Sequence, residues 1–222
     1  MQINEVFETI QGEASFTGTP SVFVRTQFCP VGCPWCDTKH TWALGAASRR
    51  TLEEVALKQT DSDHWCVVPP QYLMHALTKR FNARHLVLTG GEPMWQDDLG
   101  ALTDIAIEMG WTVQIETSGT RWTPINHKAW VTLSPKINMP GGYEVLHDLV
   151  RRADEIKMPV GKMEDIDKLR SFLSDHRVDP KTKSIWLQPL SQSPKATALC
   201  VEQATKLGYR LSIQTHKFLG MR

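Results

Sequence analysis

His85-Leu-Val-Leu-Thr-Gly-Gly-Glu-Pro93 decides how the chain folds. An apolar run of strand length ends in a threonine, then in two glycines, an acid and a proline. Six further short runs share the form, at 21–26, 112–116, 130–134, 154–157, 184–188 and 210–214, with 5–10 as a candidate eighth strand. Helical spacing fills the gaps. Leu73, Ala76, Leu77 and Phe81 share one face of 69–81, and Leu99, Leu102, Ile105, Ala106 and Met109 one face of 97–109. Segments 143–153, 163–176 and 194–207 follow suit, and Gly110 and Gly208 sit where helices end. The stretch 43–68 is the least periodic and reads as a short helix plus loop. Alternating strands and helices predict parallel pairing with right-handed crossovers. About seven strands leave two choices, a doubly wound sheet or an incomplete (β/α) TIM-like barrel.

The strand ends favour the barrel. Arg25, Thr89, Glu116, Ser134, Lys157, Gln188 and Gln214 each close an apolar run or open the turn after it. A barrel gathers such groups on one rim, where barrel enzymes build their sites. Any single polar strand end is explained by water. Seven in succession point to a site.

At 222 residues the chain is expected to form one domain, 1–222, able to bury a core without disulfides. Lys plus Arg number 25 against 24 Asp plus Glu, which leaves no like-charged surface for non-specific nucleic-acid binding. No apolar run approaches the ~20 residues of a membrane helix. The first thirteen residues carry acids and lack the basic start of an export signal. Three of five cysteines fall within eight residues, a metal-site pattern rather than a secreted disulfide framework. A cytoplasmic protein is expected.

Those three, in Cys29-Pro-Val-Gly-Cys33-Pro-Trp-Cys36, follow a strand with C-x3-C-x2-C spacing. Soft thiolates select zinc, copper(I) or iron–sulfur clusters. Structural zinc wants four protein ligands, and His40 is the candidate fourth. A four-iron cluster on three cysteines leaves one iron open. The amino and carboxylate groups of S-adenosylmethionine suit that position. Glycines at 90 and 91 allow close backbone approach, and Glu92 offers a carboxylate to an ammonium.

This pairing of cysteine triad and Gly-Gly-Glu-Pro resembles the radical S-adenosylmethionine superfamily. Within it the chain resembles the 7-carboxy-7-deazaguanine synthases of queuosine precursor biosynthesis over nearly its whole length. The matching stretches are Glu5-Val-Phe-Glu-Thr-Ile-Gln-Gly-Glu13, the strand into Arg25, Cys33-Pro-Trp-Cys36-Asp-Thr-Lys-His-Thr-Trp42, Thr89-Gly-Gly-Glu-Pro93, Gln114-Ile-Glu-Thr-Ser-Gly119, Ser134-Pro-Lys136, Gln188-Pro-Leu-Ser191 and Gln214-Thr-His-Lys217. Phe28 departs from the pattern, standing where a glycine is common in that family, and an insertion some members carry after the first cysteine is absent here.

The resemblance implies an incomplete barrel of the radical SAM type. Cys29, Cys33 and Cys36 would ligate a [4Fe-4S] cluster. Trp35, Gly91, Glu92, Glu116, Ser134, Pro135, Lys136, Gln188, Pro189, Leu190 and Ser191 would contact S-adenosylmethionine. Thr38 would ligate Mg2+, although the residues by themselves favour a helix cap. Ile10, Gln11, Gly12, Arg25, Thr89 and His216 would meet 6-carboxy-5,6,7,8-tetrahydropterin, with Glu13 a weaker candidate. Gln11 would act through its main chain and side-chain amide. The implied reaction is radical ring contraction with loss of ammonia, by a homodimer that takes electrons from a flavodoxin or ferredoxin. The rivals are an activase of a glycyl-radical enzyme, a zinc-stapled binding module and an electron carrier. A carrier usually closes its cluster with four cysteines, and Cys66 and Cys200 read as packing.

Overall fold

The computed structural model describes residues 1–221. Its strands are β1 (Gln2–Ile10), β2 (Pro20–Thr26), β3 (Cys66–Val67), β4 (His85–Gly90), β5 (Thr112–Thr117), β6 (Trp130–Leu133), β7 (Glu155–Val160), β8 (Ser184–Pro189) and β9 (Arg210–Leu211). The helices are α1 (Leu52–Ala56), α2 (Pro70–Arg80), α3 (Leu99–Glu108), α4 (His147–Arg152), α5 (Met163–Asp175), α6 (Pro194–Leu207) and α7 (Thr215–Phe218). One sheet runs β3-β1-β2-β4-β5-β6-β7-β8-β9. From β2 to β9 every neighbour pair is parallel. The fold is therefore α/β, an incomplete TIM-like barrel. Among the described residues, no helix is long and apolar enough to cross a membrane.

Fully buried parallel strands usually read as unbroken apolar runs. These alternate instead. Leu86, Leu88, Val113, Ile115, Val131, Leu133, Ile156 and Val160 join two apolar clusters with α2 to α6. Residues of opposite parity point inward and are largely polar: Arg25, His85, Gln114, Glu116, Thr132, Glu155, Lys157 and Gln188. The apolar clusters outside the sheet hold the fold, and the interior is free to be chemical.

Three expectations change. Strand β1 is antiparallel to β2, because the short connection 11–19 cannot make a parallel crossover. The stretch 43–68 contains β3 as well as a helix, and Cys66 pairs with Ile3. The strand expected at 210–214 is shorter, Arg210–Leu211, and beyond it Ser212 and Gln214 turn their side chains to Gln188 and Glu13.

The loop 11–19 forms the floor of the barrel. Ile10 pairs with Pro20 at the start of β2. Phe16 packs on His85 at 4.4 Å and on Trp130 at 5.4 Å, the first residues of β4 and β6. Gly12 reaches the far edge, where its carbonyl accepts Thr215 N–H at 3.1 Å.

Candidate active site

The cysteine loop leaves β2 through a strained residue. Phe28 has φ +83°, a conformation bulky side chains avoid. It persists because both its backbone groups are engaged. Its N–H donates to Thr41 O at 2.7 Å, and its carbonyl accepts Glu92 N–H at 2.9 Å. That bond ties the cysteine loop to the Gly-Gly-Glu turn. A Cβ on Gly91 would lie 2.3 Å from the Phe28 carbonyl oxygen, so this residue must be glycine. Glu92 is buried and braced: Oε1 accepts from Thr117 Oγ1 at 2.6 Å and Met94 N at 3.0 Å, and Oε2 from Ser118 N at 2.7 Å. The carboxylate expected to meet an ammonium is thus largely occupied in binding its own turn to the end of β5.

Cys29, Cys33 and Cys36 line one cavity of about 300 Å³. Cys36 N–H bonds to Cys33 O at 3.1 Å, which curls the loop. Burial pushes the Cys29 thiol up to about 12 and raises Cys33 as well. Metal binding displaces such protons. Among the described residues, no three His, Cys, Asp or Glu side chains converge on one ion. His40 does not line the cavity. Three thiols spread around one space suit a cluster better than a single zinc ion.

The same cavity gathers Trp35, Thr38, Thr89, Gly91, Glu92, Glu116, Ser134, Lys136, Gln188, Pro189, Leu190 and Ser191. Lys136 folds back on Ser134, with Nζ 2.5 Å from Oγ and 3.0 Å from the carbonyl. Burial lowers its pKa. Pro135 is placed elsewhere, on an adjoining apolar cavity of about 340 Å³ that shares Trp35, Lys136, Pro159 and Leu190 with the first. Thr38 precedes a short 3-10 turn but makes no capping hydrogen bond. Its hydroxyl lies 3.6 Å from Cys36 Sγ.

A second compartment of about 180 Å³ adjoins, lined by Ile10, Gln11, Arg25, Thr38, Thr89, Glu116 and His216. Arg25 is fixed by Nε donating to the buried Glu5 Oε1 at 2.6 Å, which leaves its terminal nitrogens for a ligand. Gly12 lies beneath His216, where a Cβ would sit 2.4 Å from Nδ1. The Gln11 side chain turns inward. Its Nε2 donates to Gln114 Oε1 at 3.0 Å, and its Oε1 accepts Glu13 N–H at 3.1 Å. A ligand above 10–12 therefore meets main chain more than the amide the sequence suggested.

Sequence reasoning did not assign Lys157 to the site. It is 5% exposed, with Nζ 2.8 Å from Glu116 Oε2 and also bonded to Glu13. Its place at the polar end of an apolar strand was the available signal. Burial raises the two acids, but Lys157 and Gln214 overcome this at Glu13 and hold it at about 2. Glu116, facing the charge of Glu13 as well as Lys157, is pushed up to about 7. Asp37, Gln214 and Lys217 also line the cavity, Lys217 Nζ lying 2.9 Å from Gln214 Oε1 and 3.6 Å from Asp37.

Residues 23–133 match the Radical SAM superfamily. The chain is 47% identical to the 7-carboxy-7-deazaguanine synthase of Escherichia coli K12, over 99% of this chain and 98% of that one. It is 39% identical to the enzyme of the same name from Buchnera aphidicola subsp. Schizaphis graminum, over the same shares. The crystal structure of QueE from Escherichia coli superposes with a TM-score of 0.91 at 46% identity, over 96% of this chain and 92% of that one. Membership of the superfamily implies a [4Fe-4S] cluster and S-adenosylmethionine. By its sequence and its fold, the chain belongs to the 7-carboxy-7-deazaguanine synthase family of radical SAM enzymes.

Proposed function

We propose that the chain converts 6-carboxy-5,6,7,8-tetrahydropterin to 7-carboxy-7-deazaguanine and ammonia, a carbon–nitrogen lyase reaction. The single observation that carries this reading is the pair of adjoining compartments. One holds three thiols and the other a fixed arginine, and they share Thr38, Thr89 and Glu116.

When bound, the cluster and S-adenosylmethionine supply a carbon radical able to remove hydrogen from the substrate. The chain supplies position. Cys29, Cys33 and Cys36 hold the cluster. The Gly90–Gly91 backbone, Ser134, Lys136 and 188–191 hold the nucleotide. Trp35 walls its outer side. Arg25 binds an anionic or carbonyl oxygen of the pterin with a planar fork. Main chain at Ile10, Gln11 and Gly12, with Thr89 and His216, reads the ring edge. Thr38 offers a hard oxygen to Mg2+, which would also take substrate oxygens and water. Residues 1–222 act as one catalytic unit, in a cytoplasmic homodimer reduced by a flavodoxin or ferredoxin; these last readings rest on the resemblance.

The test is anaerobic incubation of iron-loaded protein with reductant, S-adenosylmethionine, Mg2+ and the carboxy-tetrahydropterin. Formation of the deazaguanine with one ammonia per turnover is expected. Brown protein that yields no such product overturns the substrate assignment. Colourless protein holding one zinc overturns the whole reading.

A further inference from the structure

Glu116 stands where the two compartments meet, and it belongs to a buried trio of two acids and one base. Fully ionised, the trio carries one surplus negative charge in a place shielded from water, so one acid is favoured to hold a proton. The geometry decides which. Glu13 accepts from Lys157 and from Gln214 Nε2 at 2.7 Å, with His216 nearby. Glu116 accepts from Lys157 at 2.8 Å and from Gln114 Nε2 at 3.1 Å. The charged groups facing it are Glu13 from the floor loop, Glu155 and Lys157 from β7, and Lys136 beyond β6. Glu116 thus faces the carboxylates of both Glu13 and Glu155, whereas Glu13 has His216 beside it, so Glu116 is the acid that takes the proton. Environments that push neighbouring acids apart in this way mark acid–base roles.

The proposed reaction needs such a group. Loss of ammonia moves one proton from a ring carbon to the departing nitrogen. We propose that Glu116 carries that proton: as a carboxylic acid it protonates the leaving nitrogen, and as the resulting carboxylate it takes the proton from the adjacent carbon. The C–N bond breaks with its electron pair going to nitrogen. The C–H pair becomes the new C=C bond. No electron is gained or lost overall, and the carboxyl group is restored. Lys157, fixed in turn by Glu13, is the positioning residue that stabilises the carboxylate interval. This inference rests on the function proposed above.

Glu116→Gln keeps shape and removes the proton carrier. Three measurements test it. Isotope-edited infrared spectroscopy of protein carrying ¹³C-labelled glutamate, without substrate, is expected to show a carboxylic acid band that titrates near pH 7 and is missing in Glu116→Gln. Turnover of that variant should fall by about 100-fold or more, with iron content unchanged. Acid quench should then reveal a ring-contracted isomer of the substrate that still carries the amine. Parent turnover should decline as pH rises through about 7, while Glu116→Asp, which keeps an acid, retains product formation. Variant turnover within threefold of the parent, or loss of turnover with unreacted substrate and no isomer, overturns the proposal. Failure of the parent protein to make the deazaguanine overturns the function itself, a separate result.

Discussion

Replacing Lys157 with methionine keeps the unbranched stem, one atom shorter, and removes the charge, leaving Glu13 and Glu116 facing each other. The loss follows from the position of Glu13, held at about 2 against an ordinary 4.5. A shift of that size, at ~1.4 kcal/mol per pKa unit, is worth about 3 kcal/mol. Removing one partner of a buried pair typically costs about 3–5 kcal/mol. The sign is fixed by linkage. A depressed carboxyl contributes stability above its unfolded value and loses it as pH falls towards 2. Glu116, raised to about 7, works oppositely: its charged form weighs on the fold as pH climbs past its unfolded value towards 7. Without Lys157 both effects worsen at high pH. The gap between parent and variant should therefore be about 3–5 kcal/mol at pH 8, roughly 10 °C in Tm for a chain of this size, and narrower near pH 4. Unfolding of the iron-loaded protein, followed anaerobically by circular dichroism at both pH values, measures it. Adding Glu13→Gln should recover part of the loss, because it removes one of the two orphaned charges. A gap below about 1 kcal/mol at pH 8, or one that widens on acidification, would refute the ion trio as drawn.

Two other substitutions probe the cysteine loop. Phe28→Ala loses the ring packed 5.7 Å from Trp95 but keeps a side chain at positive φ, whereas Phe28→Gly loses the ring and relieves the backbone. The glycine variant should be the more stable of the two by about 1 kcal/mol, reversing the usual order; urea midpoints in which alanine wins would contradict the strained conformation. Thr38→Ala should leave iron content unchanged and raise the Mg2+ concentration for half-maximal turnover about tenfold, ~1.4 kcal/mol; an unaltered Mg2+ titration removes Thr38 from the metal site.

Periodicity located the seven strands that turned out parallel, because each apolar run must bury one face against helices. The polar strand ends were legible for the same reason, and most of them do line the cavity. What the sequence could not carry was contact across distance. Lys157 and Glu13 are 144 residues apart, and neither strand pattern nor spacing says they touch. The inward turn of the Gln11 amide depends on Gln114, on another strand. The 5–10 run was legible as a candidate strand, but its antiparallel pairing with β2 depends on the short connection 11–19 and was not read from the pattern. Phe28 was visible as a departure from the family pattern, but its positive φ comes from the two hydrogen bonds that pin its backbone.

The interior explains why this fold can hold reactive chemistry at a fixed place. Barrel cores are usually layers of branched apolar side chains. Here the inward positions form a connected polar column. His85 Nε2 lies 3.3 Å from Gln114 Oε1, Gln114 donates to Thr132 Oγ1 at 3.0 Å and to Glu116, and Thr132 donates to Glu155 at 2.7 Å. Ser15 closes the column from the floor by donating to Glu155 at 2.5 Å. Each group has partners, so the column avoids the penalty of an unsatisfied interior, but it contributes little net stability. Its consequence is positional. Gln11 beneath the substrate compartment and Glu116 at the junction both bond to Gln114, so a shift at one is felt at the other. The apolar clusters outside the sheet carry the stability, and the column inside converts that rigidity into fixed positions for the groups that meet the ligand.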